Sequence, residues 1–332
     1  MASASELPRW RGFNLLSMFS VGRVGEFPED DFRWMRDWGF NFARLPLDYR
    51  CWVAEGDAGP IDEQALTAID DAVGFGREHG IHICINFHRA PGYTVASPAE
   101  ELSVWTDEEA RRLCTLHWRT FAARYAGIPS DELSFNLFNE PARIGDRGFT
   151  PERYREVVQR LTEAIWSEDP DRLVICDGYE WGRVPVPELT DLGVAQSTRA
   201  YQPHWLTHYK APWAGGEDLP EPHWPGPSGA EGADRWDIER LREYWRPWRE
   251  LADSGVGVHC GEGGSYSPVP HPVALAWLDD ALTVLNEFGI GWALWNLRGS
   301  FGILDSGRQD VDYEDFEGHK LDRAMLDVLL RH

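Results

Sequence analysis

Glu132-Leu-Ser-Phe-Asn-Leu-Phe138, followed by Asn139-Glu140-Pro141, is a short apolar run that ends in a polar turn. Runs of this kind recur and alternate with longer amphipathic segments, which is the pattern of βα units in a parallel sheet. The candidate strands are Trp10–Leu15, Phe40–Leu45, Ile81–Phe87, Glu132–Phe138, Arg172–Asp177, Val194–Tyr201, Gly255–Cys260 and Ile290–Asn296. Eight strands fit a closed barrel, so the sequence predicts one α/β domain, a single (β/α)8 TIM barrel over residues 1–332.

Start and stop signals place helices between these strands. Thr106-Asp-Glu-Glu109 resembles a capping box that opens a helix reaching about Tyr125. Thr150-Pro151 supplies an N-cap and a first-turn proline before another helix. The segment Ile61–His79 is predicted to stop at Gly80, as a C-terminal glycine favours. Further helices are predicted at Arg235–Asp253, Val273–Phe288 and Lys320–Leu330.

One long segment interrupts the alternation. Residues 211–233 are rich in proline and glycine and contain Trp213 and Trp224. Loops of this length without secondary structure are uncommon and are usually functional or disordered. Because tryptophan and rigid prolines argue against disorder, we expect an ordered wall over the cleft, with Trp213 or Trp224 facing it.

Composition limits the partners. The net charge of −23 argues against nucleic acid and anionic membranes, since both require a basic surface. No apolar run approaches the roughly 18 residues that span a membrane. Met1–Trp10 lacks the pattern of a signal peptide, and five cysteines without framework spacing favour buried reduced thiols, so a cytoplasmic location is expected.

In a barrel of this type the active site lies at the carboxyl ends of the strands. The residues at those ends are polar or aromatic, behind otherwise apolar runs: Arg44, His88, Asn139, Glu140, Asp177, Tyr201, Glu262 and Trp295. Two carboxylates at one end of a barrel are the minimum equipment for hydrolysing a glycosidic bond. The alternative is that Glu140 and Glu262 are ordinary loop carboxylates, and the surrounding residues argue against it.

These residues and their order resemble glycoside hydrolase family 5, the cellulase-like retaining β-glycosidases. The motifs that carry the resemblance are Arg44 in Phe-Ala-Arg-Leu-Pro, His88 in Asn-Phe-His-Arg-Ala-Pro-Gly-Tyr, Asn139-Glu140-Pro141, Tyr201, Gly261-Glu262 and Trp295 in Ala-Leu-Trp-Asn. The similarity extends from Arg11 to about Leu330.

The resemblance implies a role for each matched residue. Glu140 would be the general acid/base and Glu262 the nucleophile. Asn139 would bind the sugar 2-hydroxyl and Trp295 would form the stacking floor. Tyr201 would donate to Glu262, while two further residues, Arg44 and His88, would hold the nucleophile and neighbouring hydroxyls.

Several of these residues have a structural alternative. Arg44 could form a structural ion pair, His88 could be a core histidine, and Trp295 could be simple core. Asp177 is expected to be structural, binding loop backbone.

One position departs from the family pattern. The family usually has His-x-Tyr on strand six, where this chain has Arg199-Ala200-Tyr201. Either Arg199 pairs with an acid such as Glu180, or it binds an anionic group on the substrate. His204 and His208 follow closely and could take over the role of the histidine, although loop positions at the surface are the alternative.

The leading hypothesis is a retaining β-glycosidase that acts on β-linked oligosaccharides or small β-glycosides of gluco or manno configuration. The alternatives are an endo-β-glucanase or mannanase acting on polymer, and a carbohydrate-binding barrel without catalysis. A metal-dependent hydrolase is disfavoured because His88 alone does not supply a ligand set. The sequence thus predicts a sugar substrate, no cofactor and no metal, and it makes no prediction of oligomeric state.

Overall fold

The computed structural model describes residues 2–53, 59–227 and 235–332. The barrel strands are β1 (Arg11–Asn14), β2 (Phe42–Asp48), β3 (His82–Ala90), β4 (Leu133–Asn136), β5 (Leu173–Asp177), β6 (Ala195–Ala200), β7 (Val258–Gly263) and β8 (Gly291–Leu294). They pair in parallel in the order β2-β1-β8-β7-β6-β5-β4-β3, and the pairing of β2 with β3 closes the barrel. The predicted (β/α)8 TIM barrel is therefore confirmed.

Helices pack around the barrel. They are α1 (Glu29–Asp37), α2 (Thr67–His79), α3 (Glu108–Arg124), α4 (Pro151–Glu168), α5 (Ile238–Asp253), α6 (His271–Glu287) and α7 (Arg323–Arg331). Two predicted end signals are confirmed: Gly80 closes α2 at φ 69°, and the Thr150 hydroxyl accepts a hydrogen bond from the Arg153 amide at the start of α4. Among the described residues, no helix is both long enough and apolar enough to cross a membrane.

Other helix boundaries were predicted wrongly. Helix α2 begins at Thr67 rather than Ile61, because Ile61 pairs with Val53 in an isolated bridge. The N-cap of α3 is Asp107 and not Thr106, and the Asp107 carboxylate accepts the Ser103 amide instead of closing a capping box.

Some connections also differ from simple alternation. Between β5 and β6 the chain makes only short turns, Tyr179–Gly182 and Pro187–Leu189, instead of a long helix. Ahead of α7, Lys320 belongs to a hairpin of Glu314–Phe316 with His319–Leu321, so the predicted helical start there is wrong. Helix α1 was not predicted, although its first turn is entirely acidic, as a helix N-terminus favours.

The barrel separates an outer apolar layer from a polar interior. On β3, Ile83, Ile85 and Phe87 belong to the core between strands and helices. Cys84 lies with the apolar group inside the lower barrel, and Asn86 binds the Asn136 side chain. This alternation is the one expected if His88 faces the cleft. All five cysteines are free thiols, and every one except Cys51 is buried.

The described part of the loop 211–233 contains a turn at Pro212–Ala214, and Gly226–Pro227 pairs with Arg235–Trp236. Residues 228–233 lie outside the described residues. The Trp213 side chain is 62% exposed and contacts the Tyr266 ring at a centroid distance of 4.7 Å. Trp224 instead donates from its indole Nε1 to Asp280 on helix α6. Of the two tryptophans, only Trp213 is thus placed near the mouth of the barrel.

Strand β7 is displaced from its predicted position. The sequence predicted Gly255–Cys260, whereas the strand spans Val258–Gly263. Gly255 has φ 93° and belongs to the turn after α5. Glu262 therefore lies within the strand, near its carboxyl end, and its side chain is held by neighbouring strands rather than by a loop.

Candidate active site

Glu140 is fixed by its backbone just beyond β4. Its φ of 51° lies in the left-handed region, a strained conformation for a non-glycine residue that is frequent at functional sites. The Glu140 amide donates to Asp177 Oδ2 at 2.8 Å, and the Tyr93 hydroxyl donates to the Glu140 carbonyl at 2.7 Å. These two contacts hold the strained turn and direct the side chain toward the barrel axis.

A β-bulge orients Glu262. The register between β7 and β6 shifts between Cys260 and Glu262, and such bulges re-aim side chains next to active sites. The preceding Gly261 is required by space: an added Cβ would lie 2.8 Å from Ser197 Oγ and 3.1 Å from Arg199 Nη1. The Gly261-Glu262 pair in the sequence thus reflects a crowded approach of β6 to β7.

Two donors hold the Glu262 carboxylate. Arg44 Nη1 donates to Oε1 at 2.6 Å, and the Tyr201 hydroxyl donates to Oε2 at 3.1 Å. The Arg44 side chain is 1% exposed, and its remaining donors go to the amide oxygens of Asn14, Asn136 and Asn139. Arg44 is therefore an ion-pair partner of Glu262 itself, which unites the structural and the functional interpretations of this residue.

The orientation of the Asn139 amide follows from its neighbours. Its Oδ1 accepts from Arg44 Nη2 at 2.9 Å and from Arg199 Nη2 at 3.2 Å. Because guanidinium groups only donate, the amide oxygen must face them. The amide Nδ2 then points the other way, 3.4 Å from His88 Nε2.

His88 and Trp295 form an aromatic corner. Their ring centroids are 5.3 Å apart, and Phe19 packs edge-on against both rings. Burial, reinforced by the Arg44 charge, lowers the pKa of His88 well below its usual value, so its imidazole is neutral. Trp295 remains partly exposed, and its backbone amide donates to the Gly263 carbonyl at 2.8 Å.

Arg199 lies at the centre of the carboxylates. Its side chain is 1% exposed and forms an ion pair with Asp177. Its Nε is 3.1 Å from Glu140 Oε1, and its Nη2 is 3.4 Å from Glu262 Oε1. Of the two alternatives for Arg199, pairing with an acidic residue of the protein is the one that the structure shows, but the suggested partner Glu180 is wrong, because that residue pairs with Arg183 on the surface.

The two histidines that follow β6 do not replace the missing family histidine. His204 and His208 stack on each other at 4.3 Å, and His208 packs edge-on against the Tyr201 ring. Burial, with a smaller effect of the His204 charge, lowers the pKa of His208 to about 3, so it is neutral. No contact in the described part of the chain joins either histidine to Glu140 or Glu262.

The electrostatics distinguish the two glutamates. Burial and then the negative charge of Glu262 raise the pKa of Glu140 to about 8, against the opposing charge of Arg199. Glu140 is therefore protonated near neutral pH. Glu262 accepts hydrogen bonds from Arg44 and Tyr201, an environment suited to a carboxylate.

Metal-ligand spacing is absent from this region. Within the described ranges, the group of side chains close enough to share an ion is Glu29, Glu78 and His79, on the outer helices α1 and α2. Arg36 Nη1 lies 3.0 Å from His79 Nδ1 and competes for that nitrogen. At the strand ends, the carboxylates are instead paired with two arginines, Arg44 and Arg199, which occupy the place that a cation would take.

Several residues at the site were not predicted from the sequence. Asn14 and Asn136 bind Arg44, and Tyr93 holds the Glu140 backbone. Tyr93 also lines a cavity of about 360 Å³ beside Glu140, built by the loops after β3, β4 and β5, with Trp105 and Trp181 in its wall. Tyr93 lies in the motif that begins at Asn86, so its proximity to His88 was the available signal.

Known proteins are similar to this chain in sequence and in fold. Residues 5–300 match the model of the cellulase family, glycosyl hydrolase family 5. Endoglucanase C of Acetivibrio thermocellus is 22% identical over 310 residues, covering 86% of this chain and 88% of the relative. Cellodextrinase A of Ruminococcus flavefaciens is 24% identical over 282 residues, covering 82% and 79%.

Solved structures agree with the family match. A crystal structure of a glycoside hydrolase has a TM-score of 0.91 at 39% identity and covers 97% of this chain and 99% of its own. Thermotoga maritima Cel5A in complex with mannotriose has a TM-score of 0.77 at 20% identity, with 97% of each chain covered, which shows the common fold. The chain belongs to glycosyl hydrolase family 5 and is a glycoside hydrolase.

Proposed function

We propose that the protein hydrolyses β-linked oligosaccharides or small β-glycosides of gluco or manno configuration by double displacement, with Glu262 as nucleophile and Glu140 as acid/base. The observation that carries this proposal is that one guanidinium, Arg199, contacts a carboxylate oxygen of Glu140 at 3.1 Å and of Glu262 at 3.4 Å. Two carboxyl groups that share a cation this closely can act on opposite sides of one glycosidic bond.

The first step divides the work between the glutamates. A Glu262 oxygen attacks the anomeric carbon while Glu140 donates its proton to the leaving oxygen. Arg199 Nε holds Glu140 Oε1, so the proton is best carried on Oε2, the oxygen that remains free to face the leaving group. In the second step the ionised Glu140 activates water, which releases the sugar from Glu262.

Three neighbouring residues bind the reacting sugar. The Asn139 amide nitrogen, turned away from Arg44 and Arg199, contacts His88 and has a second N–H with which to donate to the 2-hydroxyl. The partly exposed Trp295 ring forms a floor on which the apolar face of the sugar stacks. His88, packed against that ring, restricts its position and presents a neutral imidazole near the hydroxyls.

The substrate extends beyond the cleavage point. The cavity lined by Tyr93 lies next to the Glu140 backbone, because the Tyr93 hydroxyl binds the Glu140 carbonyl, and its walls also include the aromatic side chains Trp105 and Trp181. On the other flank, Trp213 lies against Tyr266 at the edge of the barrel mouth. These features support an oligosaccharide longer than one sugar, and residues 211–227 support the expected wall on that flank.

A panel of aryl β-glycosides tests the proposed activity. We expect turnover of the glucoside or mannoside by the wild type and none by Glu262→Gln, which keeps the shape of the side chain. Proton NMR should show the β-anomer as the first product, as it does for retaining enzymes, whose two carboxyl groups lie about 5–5.5 Å apart. Release of the α-anomer first would contradict double displacement.

Endo-cleavage of a polymer is the second candidate, because the relatives include proteins named as endoglucanases. Product sizes from a reduced oligosaccharide series and from carboxymethyl cellulose or mannan separate the two. A constant preference for cleavage near one chain end supports the oligosaccharide assignment, and a rapid fall in polymer viscosity supports endo-action.

We further propose that residues 1–332 act as one catalytic domain in the cytoplasm.

A further inference from the structure

Arg199 is built into the site with little freedom to move. Its Nη1 donates to Ser197 Oγ and to the Thr198 carbonyl, both at 3.0 Å. A Cβ at Gly182 would lie 2.7 Å from Arg199 Cγ, so that glycine leaves the space through which the side chain passes. The fixed fork of a guanidinium then sets where the two glutamate oxygens can lie.

The charged cluster that includes Arg199 draws its members from five parts of the barrel. The charged groups are Arg44 on β2, Glu140 after β4, Asp177 at the end of β5, Arg199 on β6 and Glu262 on β7. The other titratable groups that face them have pKa values that burial shifts toward the neutral form: His88, Tyr93, Tyr154, Tyr201, Tyr244, Cys84, Cys176 and Cys260.

With Glu140 protonated and Glu262 ionised, this buried group contains two positive and two negative charges. The positive charges are Arg44 and Arg199, and the negative ones are Asp177 and Glu262. In such a buried group an uncompensated charge is strongly unfavourable, so the balance matters. The fully buried Asp177 forms an ion pair with Arg199 that does not depend on the state of either glutamate, so it balances the Arg199 charge throughout.

We propose that Arg199 is a positioning residue that serves both glutamates in turn, as counter-charge to Glu262 before the glycosidic bond breaks and to Glu140 afterwards. This inference depends on the proposed function of the two glutamates. When a Glu262 oxygen bonds to the anomeric carbon, the glycosidic carbon–oxygen bond breaks and the leaving oxygen takes the Glu140 proton. Glu262 becomes a neutral ester as Glu140 becomes an anion, so two positive and two negative charges remain.

The inference can be tested with Arg199→Gln, Asp177→Asn and the double variant that removes both charges. The readout is the titration of the Glu140 carboxyl by carbon-13 NMR, assigned with Glu140→Gln. Arg199→Gln should raise the pKa of Glu140 and Asp177→Asn should lower it, each by about one to three units. The double variant should return it near the wild-type value, because the charge count is again balanced.

A second background tests whether the counter-charge is shared. Glu262→Gln imitates the neutral ester, so Arg199 then has only Glu140 and Asp177 to serve. In that background Arg199→Gln should raise the pKa of Glu140 by more than it does beside an ionised Glu262. Equal effects in both backgrounds would show that Arg199 is not divided between the glutamates and would overturn the proposal.

Kinetics and stability complete the test. The alkaline limb of kcat/KM on an aryl β-glycoside should move in the same direction as the Glu140 titration in each variant. The charge-neutral double variant is the folding control, measured by thermal unfolding. Activity losses that follow Tm without any movement of the pH profile would assign Arg199 a purely structural role. Because the NMR titration needs no turnover, an inactive wild type with the expected titrations would refute the proposed function and leave the electrostatic role of Arg199 supported.

Discussion

The two ends of the barrel interior bury ionisable side chains in opposite ways. At the carboxyl end, Arg199 and Arg44 are paired with carboxylates and remain charged. At the amino end, His82 stacks on Trp10 at 3.8 Å and His259 packs against Phe42 at 4.4 Å. Burial lowers the pKa of both histidines to about 3, so both imidazoles are neutral.

This difference between the two ends explains why catalysis is expected at the carboxyl end of the barrel. Pairing keeps charged groups available for proton transfer and nucleophilic attack, and a low-dielectric surrounding strengthens their interactions. Burial without a charged partner instead leaves a neutral histidine, which packs against aromatic rings and contributes to stability. Substitutions at the carboxyl end should therefore affect turnover, and substitutions at the amino end should affect the free energy of unfolding.

The largest expected effect is loss of the nucleophile. Glu262→Ala should reduce kcat by on the order of 10⁶, as removal of a covalent nucleophile does in other hydrolases. Azide should restore turnover by occupying the vacated space and forming the α-glycosyl azide, which NMR identifies. Tm should fall only moderately, because Glu140 can ionise and replace Glu262 as counter-charge to the buried arginines. Rescue that gives the β-azide would contradict the assignment of Glu262.

The next effect concerns the acid. Glu140→Ala should reduce kcat/KM by about 10² to 10⁴ on substrates with basic leaving groups, because these need proton donation. Aryl glycosides with acidic phenols should lose much less. In the wild type, activity should decline as pH rises past about 8, since Glu140 then loses the proton that it must donate. Equal losses on both substrate types would remove Glu140 from the acid role.

At the amino end the expected effect is on stability. Trp10 is 3% exposed, and Trp10→Ala should lower the free energy of unfolding by about 3–5 kcal/mol because it leaves a cavity beside His82. Urea denaturation measures this change, and kcat/KM per folded molecule should be unaltered. The exposed Trp213 supplies the matched control, since Trp213→Ala should change stability by no more than about 0.5 kcal/mol.

The smallest effect is a pH dependence of stability from the neutral histidines. Because the folded state keeps His82 and His259 unprotonated down to about pH 3, the unfolded chain binds more protons between that pH and about 6.5. The free energy of unfolding should therefore be highest above this window and fall as pH decreases through it. His259→Met should make the slope shallower by about 1.4 kcal/mol per pH unit, one proton's worth, in urea titrations at several pH values. An unchanged slope would show that His259 titrates normally.

The sequence by itself determined the barrel and the positions of the two glutamates. The alternation of apolar runs with amphipathic segments is visible in the local periodicity of the sequence. The N-cap at Thr150 and the helix end at Gly80 are likewise specified by the local residues. The strand ends then named Arg44, His88, Asn139 and Trp295 as neighbours, because parallel strands present their carboxyl ends to one face.

The tertiary structure alone decided the register of β7 and the partners of Arg199. The bulge before Glu262 arises from pairing with β6, more than 60 residues earlier in the chain, and no local pattern encodes it. Likewise, Arg199 forms ion pairs with Asp177 and the two glutamates and not with Glu180. Closure of the barrel explains this pairing, because it brings the carboxyl ends of β4, β5, β6 and β7 together around one point. Local sequence specifies which residues end each strand, whereas the balance of buried charge is a property of all the strands at once.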